Sequence, residues 1–348
     1  MTSRWTVLVD RDDLTETAVL HDELPELSDC EVLLRVRRVG LTANNATYGV
    51  VGDRLGYWNF FPAGGPGQGV IPVWGFADVV DSTLDALPTG TRVFGYLPMA
   101  SHLVVRARLT SSGFADTADH RAGLPGAYNS YLVTSKDPAY DPAEEDLQAL
   151  YRPLFLTSFL LADRLVDNDF FGARTVVLSS ASSKTAFGTA QCLRGTGVQL
   201  VGLTSPRNVE FTEGLGLYDT VLPYDTAVDV EPSAYLDFSG SAEVRSALHD
   251  RLGADLVKDV SIGATHQAPS QDRRAEFFFA PDQLRKRTAD WGHDGFARRF
   301  GEAWREFTAR AGDRVGVAHH SGPDGLVDVW RAVVRGEADP ATADVVTF

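Results

Sequence analysis

The first third of the chain alternates apolar and polar positions with the period of two expected of half-buried strands. Trp5–Val9 and Glu31–Val39 (EVLLRVRRV) show it most clearly, and Val79–Val80, Arg92–Gly95 and His102–Val105 continue it. Turn residues such as Pro88-Thr89-Gly90 separate these runs. Between them lies the aromatic, glycine-rich stretch Tyr48–Gly69, which reads as a long surface or cleft-lining loop. Within it, Gly64–Gly69 opens no helix and is expected to be a flexible loop or lid.

After Pro142 the pattern changes. Glu144–Tyr151 and Leu154–Val166 predict two helices, the second apolar enough to be mostly buried. Strands at Val176–Ser179, Gln199–Thr204, Thr220–Leu222, Ala234–Phe238 and Leu256–Ile262 then alternate with helices at Ala186–Arg194, Val209–Gly214 and Ala242–Leu252. Short apolar strands alternating with helices imply α/β architecture, a parallel sheet covered on both faces. Leu284–Ala311 predicts a long charged helix broken near Gly292–Gly295. The tail reads as a strand containing His319-His320, a helix over Leu326–Arg335 and a final strand, Val345–Phe348.

The 348 residues are 44% hydrophobic and 23% charged, which suits a globular enzyme of two parts with a sizeable core. A net charge of −15 repels phosphate backbones and argues against nucleic acid as a partner. Any phosphate-bearing ligand must therefore meet a local basic or backbone-amide site. Two distant cysteines, Cys30 and Cys192, supply neither a disulfide framework nor a four-cysteine metal lobe. The N-terminal residues are charged where a signal peptide needs an apolar core, and Leu154–Ala162 is too short to span a bilayer. A cytoplasmic protein without a membrane partner is the default expectation.

Candidate chemistry begins at Thr175, where TVVLSSASSKTAFGTAQCLRG gives a strand, a loop of small residues and a helix. Small residues there let backbone amides approach a pyrophosphate at a helix N-terminus. The G-x-G-x-x-G pattern is absent. Ser182, Ser183, Lys184, Thr185 and Ala186 occupy its neighbourhood, and a plain turn with a serine cap would read the same way. The next strand ends Gly202-Leu203-Thr204-Ser205-Pro206-Arg207-Asn208. No carboxylate stands there to bond an adenosine ribose or repel a 2′-phosphate, whereas Thr204, Ser205 and Arg207 can bind one. This favours NADP(H).

Collinear short motifs add to this. Val79–Asp81 and Gly90–Gly95 resemble the G-x-V-V-E and G-D-R-V-x-G sections of the medium-chain dehydrogenase/reductase superfamily. Pro153–Ser158 is similar to its P-x-x-x-L-T-A helix start, Asp237-Phe238-Ser239-Gly240 to its D-x-x-G turn, and Val260–Gly263 to its last nucleotide-domain strand. The resemblance implies a GroES-like β-rich catalytic domain (1–145 and 305–348) and a doubly wound, Rossmann-type NADP(H)-binding domain (146–304). It adds Thr157, Ser239, Gly240 and Gly263 to the cofactor-binding residues, puts His266 on a turn that borders the nicotinamide, where a structural role is the stronger reading, and leaves a homodimer open.

Zinc members of that superfamily place a cysteine after the first long strand and a Gly-His-Glu unit before the G-x-V-V strand. Here Thr42 stands at the cysteine position, and Val73–Val80 (VWGFADVV) has no His, Cys or Glu. A catalytic zinc needs three protein ligands, so a zinc-independent enzyme with no metal is expected. Such members typically reduce activated alkenes or quinones, and the enolate formed from an enone needs hydrogen-bond donors and a proton. Tyr48 and Tyr57 are the candidate proton donors. Asn44, Asn45, Trp58, Tyr128, Asn129 and Tyr131 are candidates to contact a small, partly apolar substrate. Packing or turn roles for these residues remain open at this point. The leading expectation is an NADPH-dependent oxidoreductase acting on an activated C=C bond. A carbonyl reductase with a Tyr acid, a non-redox cyclase, isomerase or lyase, and a non-catalytic binding protein are the alternatives.

Overall fold

A computed structural model describes residues 3–226, 228, 232–262, 275–311 and 315–348. Its β-rich first part runs β1 (Ser3–Asp10), β2 (Thr17–Glu23), β3 (Glu31–Leu41), α1 (Ala43–Val50), α2 (Gly52–Leu55), β4 (Gln68–Gly69), β5 (Pro72–Ser82), β6 (Arg92–Pro98), β7 (His102–Leu109), β8 (Gly113–Asp116) and β9 (Ser130–Val133). Next come α3 (Glu145–Asp167), β10 (Thr175–Leu178), α4 (Lys184–Leu193), β11 (Gln199–Thr204), α5 (Val209–Gly214), β12 (Thr220–Pro223) and β13 (Ser233–Asp237). The chain closes with α6 (Ala242–Leu252), β14 (Leu256–Ser261), β15 (Glu276–Phe277), α7 (Ala280–Ala311), β16 (Gly316–Ser321), α8 (Gly322–Val334) and β17 (Thr342–Thr347).

Two units divide these elements, one of residues 1–150 and 316–348, the other of residues 151–315. In the second unit α7 continues past Trp304. Phe307, near its end, stacks on Phe155 of α3 with ring centroids 4.5 Å apart.

In the first unit an eight-stranded sheet runs β16-β17-β3-β5-β6-β9-β8-β7, and a further β3–β7 pairing closes six of its strands into a ring. Val32, Leu34, Val36, Val79, Val93 and Val105 fill the core, with Trp330 of α8 packed against them. The stretch Tyr48–Gly69 corrects the expectation of a surface loop. It holds two short helices and β4, which pairs with β1, and it buries Trp58, Phe60 and Phe61. Glycine makes room for this. A Cβ at Gly52 or Gly69 would lie 2.3 or 2.4 Å from the Trp58 indole.

The second unit has a six-stranded sheet of order β12-β11-β10-β13-β14-β15, every pairing parallel. All residues of β10 and β13 are buried, as strands covered on both faces require. The order reverses between β10 and β13, the place where open parallel sheets bind ligands at their carboxyl edge. The two helices expected around Pro153 are one continuous helix, α3. An interior proline costs roughly 3 kcal/mol. Burial of Leu150, Leu154, Phe155, Leu161 and Leu165, each contributing about 1.5–3 kcal/mol, outweighs it. The expected break in α7 falls at Gly292, whose φ is 71°. Among the described residues no helix is long and apolar enough to cross a membrane.

Candidate functional site

The carboxyl edge of the parallel sheet gathers most of the residues expected to hold a cofactor. β10 ends at Leu178, and the chain turns through Ser179–Ser183 into α4. Ser183 caps that helix, its side chain accepting from the Ala186 N–H at 3.4 Å. Ser180 adopts a positive φ of 45°, a conformation that few residues other than glycine take. The Ser180 N–H donates to the Tyr224 hydroxyl at 2.9 Å, and Tyr218 donates to the Ala181 carbonyl at 2.8 Å. Two tyrosines thus pin the loop, one just before β12 and one just after it. Gly202 lets the loop sit close, since a Cβ there would come within 2.9 Å of the Ala181 side chain.

Ser182 links this loop to the next strand. Its hydroxyl accepts from Thr204 at 3.3 Å and from the Asn208 amide at 3.2 Å. The Ser205 hydroxyl is buried and makes no hydrogen bond among the described residues, and Arg207 is exposed on the short turn that follows. Lys184 lies over Tyr151 with its ammonium 6.0 Å from the ring centroid. Thr185 accepts at its carbonyl from Ser158 of α3 at 2.8 Å, one residue beyond the half-buried Thr157.

A buried ion-pair network holds the third part of this edge. Asp237, at the end of β13, accepts from the Ser179 hydroxyl at 2.9 Å and from the Ser239 and Gly240 N–H groups at 3.0 Å each. Ser179 in turn accepts from the Phe238 and Ser239 amides. The other Asp237 oxygen pairs with Arg245 of α6 at 2.8 Å; Arg245 also reaches Asp259 of β14, which meets His249 at 2.8 Å. Gly263 and His266, also expected near a cofactor, lie outside the described residues.

In the β-rich unit, four tyrosines gather with Trp74 and Phe60. Tyr48 of α1, Tyr57, Tyr96 of β6 and Tyr128 have ring centroids 4.7–5.9 Å apart in their paired contacts. The Tyr48 hydroxyl accepts from the Asn44 amide at 2.8 Å and from the Trp74 indole N–H at 3.2 Å. Both bonds stabilise a phenolate, yet burial dominates and pushes the Tyr48 hydroxyl well above the ordinary phenol range. Burial raises Tyr57 and Tyr128 as well. Asn44, Tyr57, Trp74 and Tyr128 keep partial exposure, while Tyr48 and Tyr96 are buried.

The remaining candidates hold structure together. Asn45 accepts from the Thr42 N–H at 2.8 Å and donates to the Pro72 carbonyl at 3.0 Å, fixing the start of α1. Thr42 itself precedes that helix as its N-cap. Asn129 bonds Arg121, and Tyr131 stacks on Phe114 while donating to the Tyr96 carbonyl at 2.9 Å. Trp58 is a core residue. Sequence reasoning missed Tyr96, Trp74, Tyr224 and Arg245. Among the described residues no group of three or more His, Cys, Asp and Glu could hold a metal ion.

Solved structures share this α/β fold. CurA from Vibrio vulnificus in complex with NADPH aligns at a TM-score of 0.63 and 14% identity, over 99% of this chain and 98% of its own. The Etr1p complex with NADP and crotonyl-CoA aligns at 0.61 and 12%, over 100% of both chains. S. aureus TarJ in complex with NADPH aligns at 0.59 and 10%, over 99% of both. The superfamily resemblance read from the sequence is therefore shown at the level of the fold. By sequence, residues 39–339 match a family described as a protein of unknown function, DUF2855, and the chain belongs to it. No curated protein matches the chain.

Proposed function

We propose that this chain is a zinc-independent, NADP(H)-dependent reductase of an activated C=C bond in a small, partly apolar molecule. The observation that carries the reading is the end of β11. Thr204 is tied to the loop before α4, the Ser205 hydroxyl is buried without a partner, Arg207 stands exposed beside it, and no carboxylate follows the strand. An orphan hydroxyl donor and a guanidinium suit a 2′-phosphate better than a ribose hydroxyl. NADPH and NADP appear in the complexes of CurA, TarJ and Etr1p, which share the fold, and crotonyl-CoA appears with Etr1p.

Ser182–Ala186 and the Asp237-held turn would cradle the dinucleotide, with the β-rich unit acting as a GroES-like catalytic domain. Bound NADPH would supply the hydride. The protein's own task is then to hold the substrate and deliver a proton to the enolate. Tyr48 supports that role best among the candidates, because Asn44 and Trp74 already donate to its oxygen and would steady the phenolate left behind. Tyr57, 4.7 Å away ring to ring, serves as the second donor to substrate oxygen. Thr42 in place of a cysteine and the absence of His, Cys and Glu from Val73–Val80 support a route without zinc.

Calorimetric titration with NADPH and NADH tests the reading. Tight NADPH binding with at least tenfold weaker NADH binding is expected, a gap of about 1.4 kcal/mol. No binding of either nucleotide would end it.

A further inference from the structure

The turn between β10 and α4 takes a backbone conformation that its sequence does not favour. Ser180 has a φ of 45°, where a side chain crowds the backbone and glycine does not. Dinucleotide-binding loops make their tight turn with glycine, yet no glycine stands between Thr175 and Phe187. The serine must be held in place by something else. The Ser179, Ala181 and Ser183 N–H groups donate to the Leu236, Leu203 and Ser180 carbonyls, so backbone holds those three. The Ser180 N–H goes instead to a side chain, the Tyr224 hydroxyl at 2.9 Å, and the Ser180 hydroxyl meets the same oxygen at 3.2 Å. Tyr224 is itself anchored. Its N–H donates to the Thr204 carbonyl at 3.1 Å, and it packs against the buried cluster of Val177, Val201 and Leu203. Burial raises its hydroxyl above the ordinary phenol value, so it stays neutral, able to accept from the N–H and to share a proton with the serine.

We propose that Tyr224 is a positioning residue that stands in for the missing glycine of the nucleotide loop. Its hydroxyl holds Ser180 in the left-handed turn, and that turn sets the start of α4 where backbone amides meet a pyrophosphate. This rests on the nucleotide site of the reductase reading and explains how a loop without glycine keeps the shape such a site needs. Tyr224 acts through Ser180, not on the adenosine end of the nucleotide. The pyrophosphate is common to NADPH and NADH, so its effect falls on both alike, in contrast to that of Arg207.

A cycle of full-length Tyr224→Phe, Ser180→Gly and the double variant tests this, with calorimetric titration of NADPH and NADH and with urea unfolding. Tyr224→Phe should lower the urea midpoint and weaken both nucleotides by a similar factor, about three- to tenfold. Glycine adopts the turn without a clamp, so the same change in the Ser180→Gly background should cost much less by both measurements. Losses that persist undiminished in that background would overturn the proposal. So would a loss confined to NADPH, which would put the hydroxyl on the 2′-phosphate. Should the parent chain bind neither nucleotide, the reductase reading falls, while the clamp stands or falls on the urea midpoints.

Discussion

Arg245 and Asp237 form an ion pair at 2.8 Å with both side chains closed off from water. The same guanidinium lies 3.2 Å from Asp259, so one cation balances two buried carboxylates. Removing it leaves Asp237 without a cation and Asp259 with His249 as its remaining partner, which costs more than the pair itself contributes. Arg245→Met should lower stability by about 3–5 kcal/mol in urea unfolding. A loss under about 1 kcal/mol would mean that the carboxylates reach water or a proton instead.

Arg207 is exposed and follows the buried, unpartnered Ser205 hydroxyl. A charge-assisted bond to a phosphate contributes about 1.5–3 kcal/mol. Arg207→Ala should therefore weaken NADPH by at least about tenfold and leave NADH unchanged. Calorimetry on both nucleotides checks this, and a parallel loss of both would remove the arginine from phosphate recognition.

The parallel sheet was legible because its strands, TVVL and SAYLD among them, are short apolar runs set between helical patterns. The turn into α4 was legible because a run of small hydroxyl residues follows the apolar strand and Ser183 suits a helix cap. What holds these parts was not. Arg245 lies in AEVRSALHDRL, which reads as an ordinary charged helix until α6 turns that side chain onto two strands. Tyr224 meets Ser180 across 44 positions. Tyr96 belongs to RVFGYLP, buried from Val93 to Pro98, so no alternation marks the side that meets Tyr48. The aromatic stretch around Trp58 misled for a similar reason, since its glycines made room for an indole rather than for a mobile loop.

Gly40 of β3 is a close approach of backbone to backbone. A Cβ there would lie 2.8 Å from both the carbonyl carbon and the oxygen of Ala149 in α3. Neither neighbour is the free end of a side chain, so strand or helix must shift. Gly40→Ala should destabilise by about 1–3 kcal/mol, measured as a drop in the urea midpoint at constant slope. Unchanged stability would show that α3 moves freely at this point.

Burial raises several tyrosines together, among them Tyr131, Tyr151 and Tyr218 in addition to Tyr48. Their hydroxyls stay protonated in the folded chain, whereas the unfolded chain releases those protons near the ordinary value of about 10. The associated stability is fully present below that value and is lost as pH rises above it. The urea midpoint should hold steady up to about pH 9 and fall steeply beyond about pH 10. A midpoint insensitive to pH across that range would mean that these phenols ionise in the folded state as they do in water.

Tyr48 joins that behaviour to the proposed chemistry. A proton donor works only while protonated, and burial holds this hydroxyl above the ordinary phenol range despite its bonds from Asn44 and Trp74. Turnover on an enone should therefore show no loss of a protonated group at about pH 10, where a solvent-exposed phenol would ionise. Tyr48→Phe should lower kcat by about 10²–10⁴-fold and leave NADPH affinity unchanged. Trp74→Phe removes one donor to the Tyr48 oxygen but keeps an aromatic ring, and should lower kcat by a smaller factor, about tenfold. A Tyr48→Phe enzyme with full kcat would move the proton donor to Tyr57, and the double variant would then carry the loss.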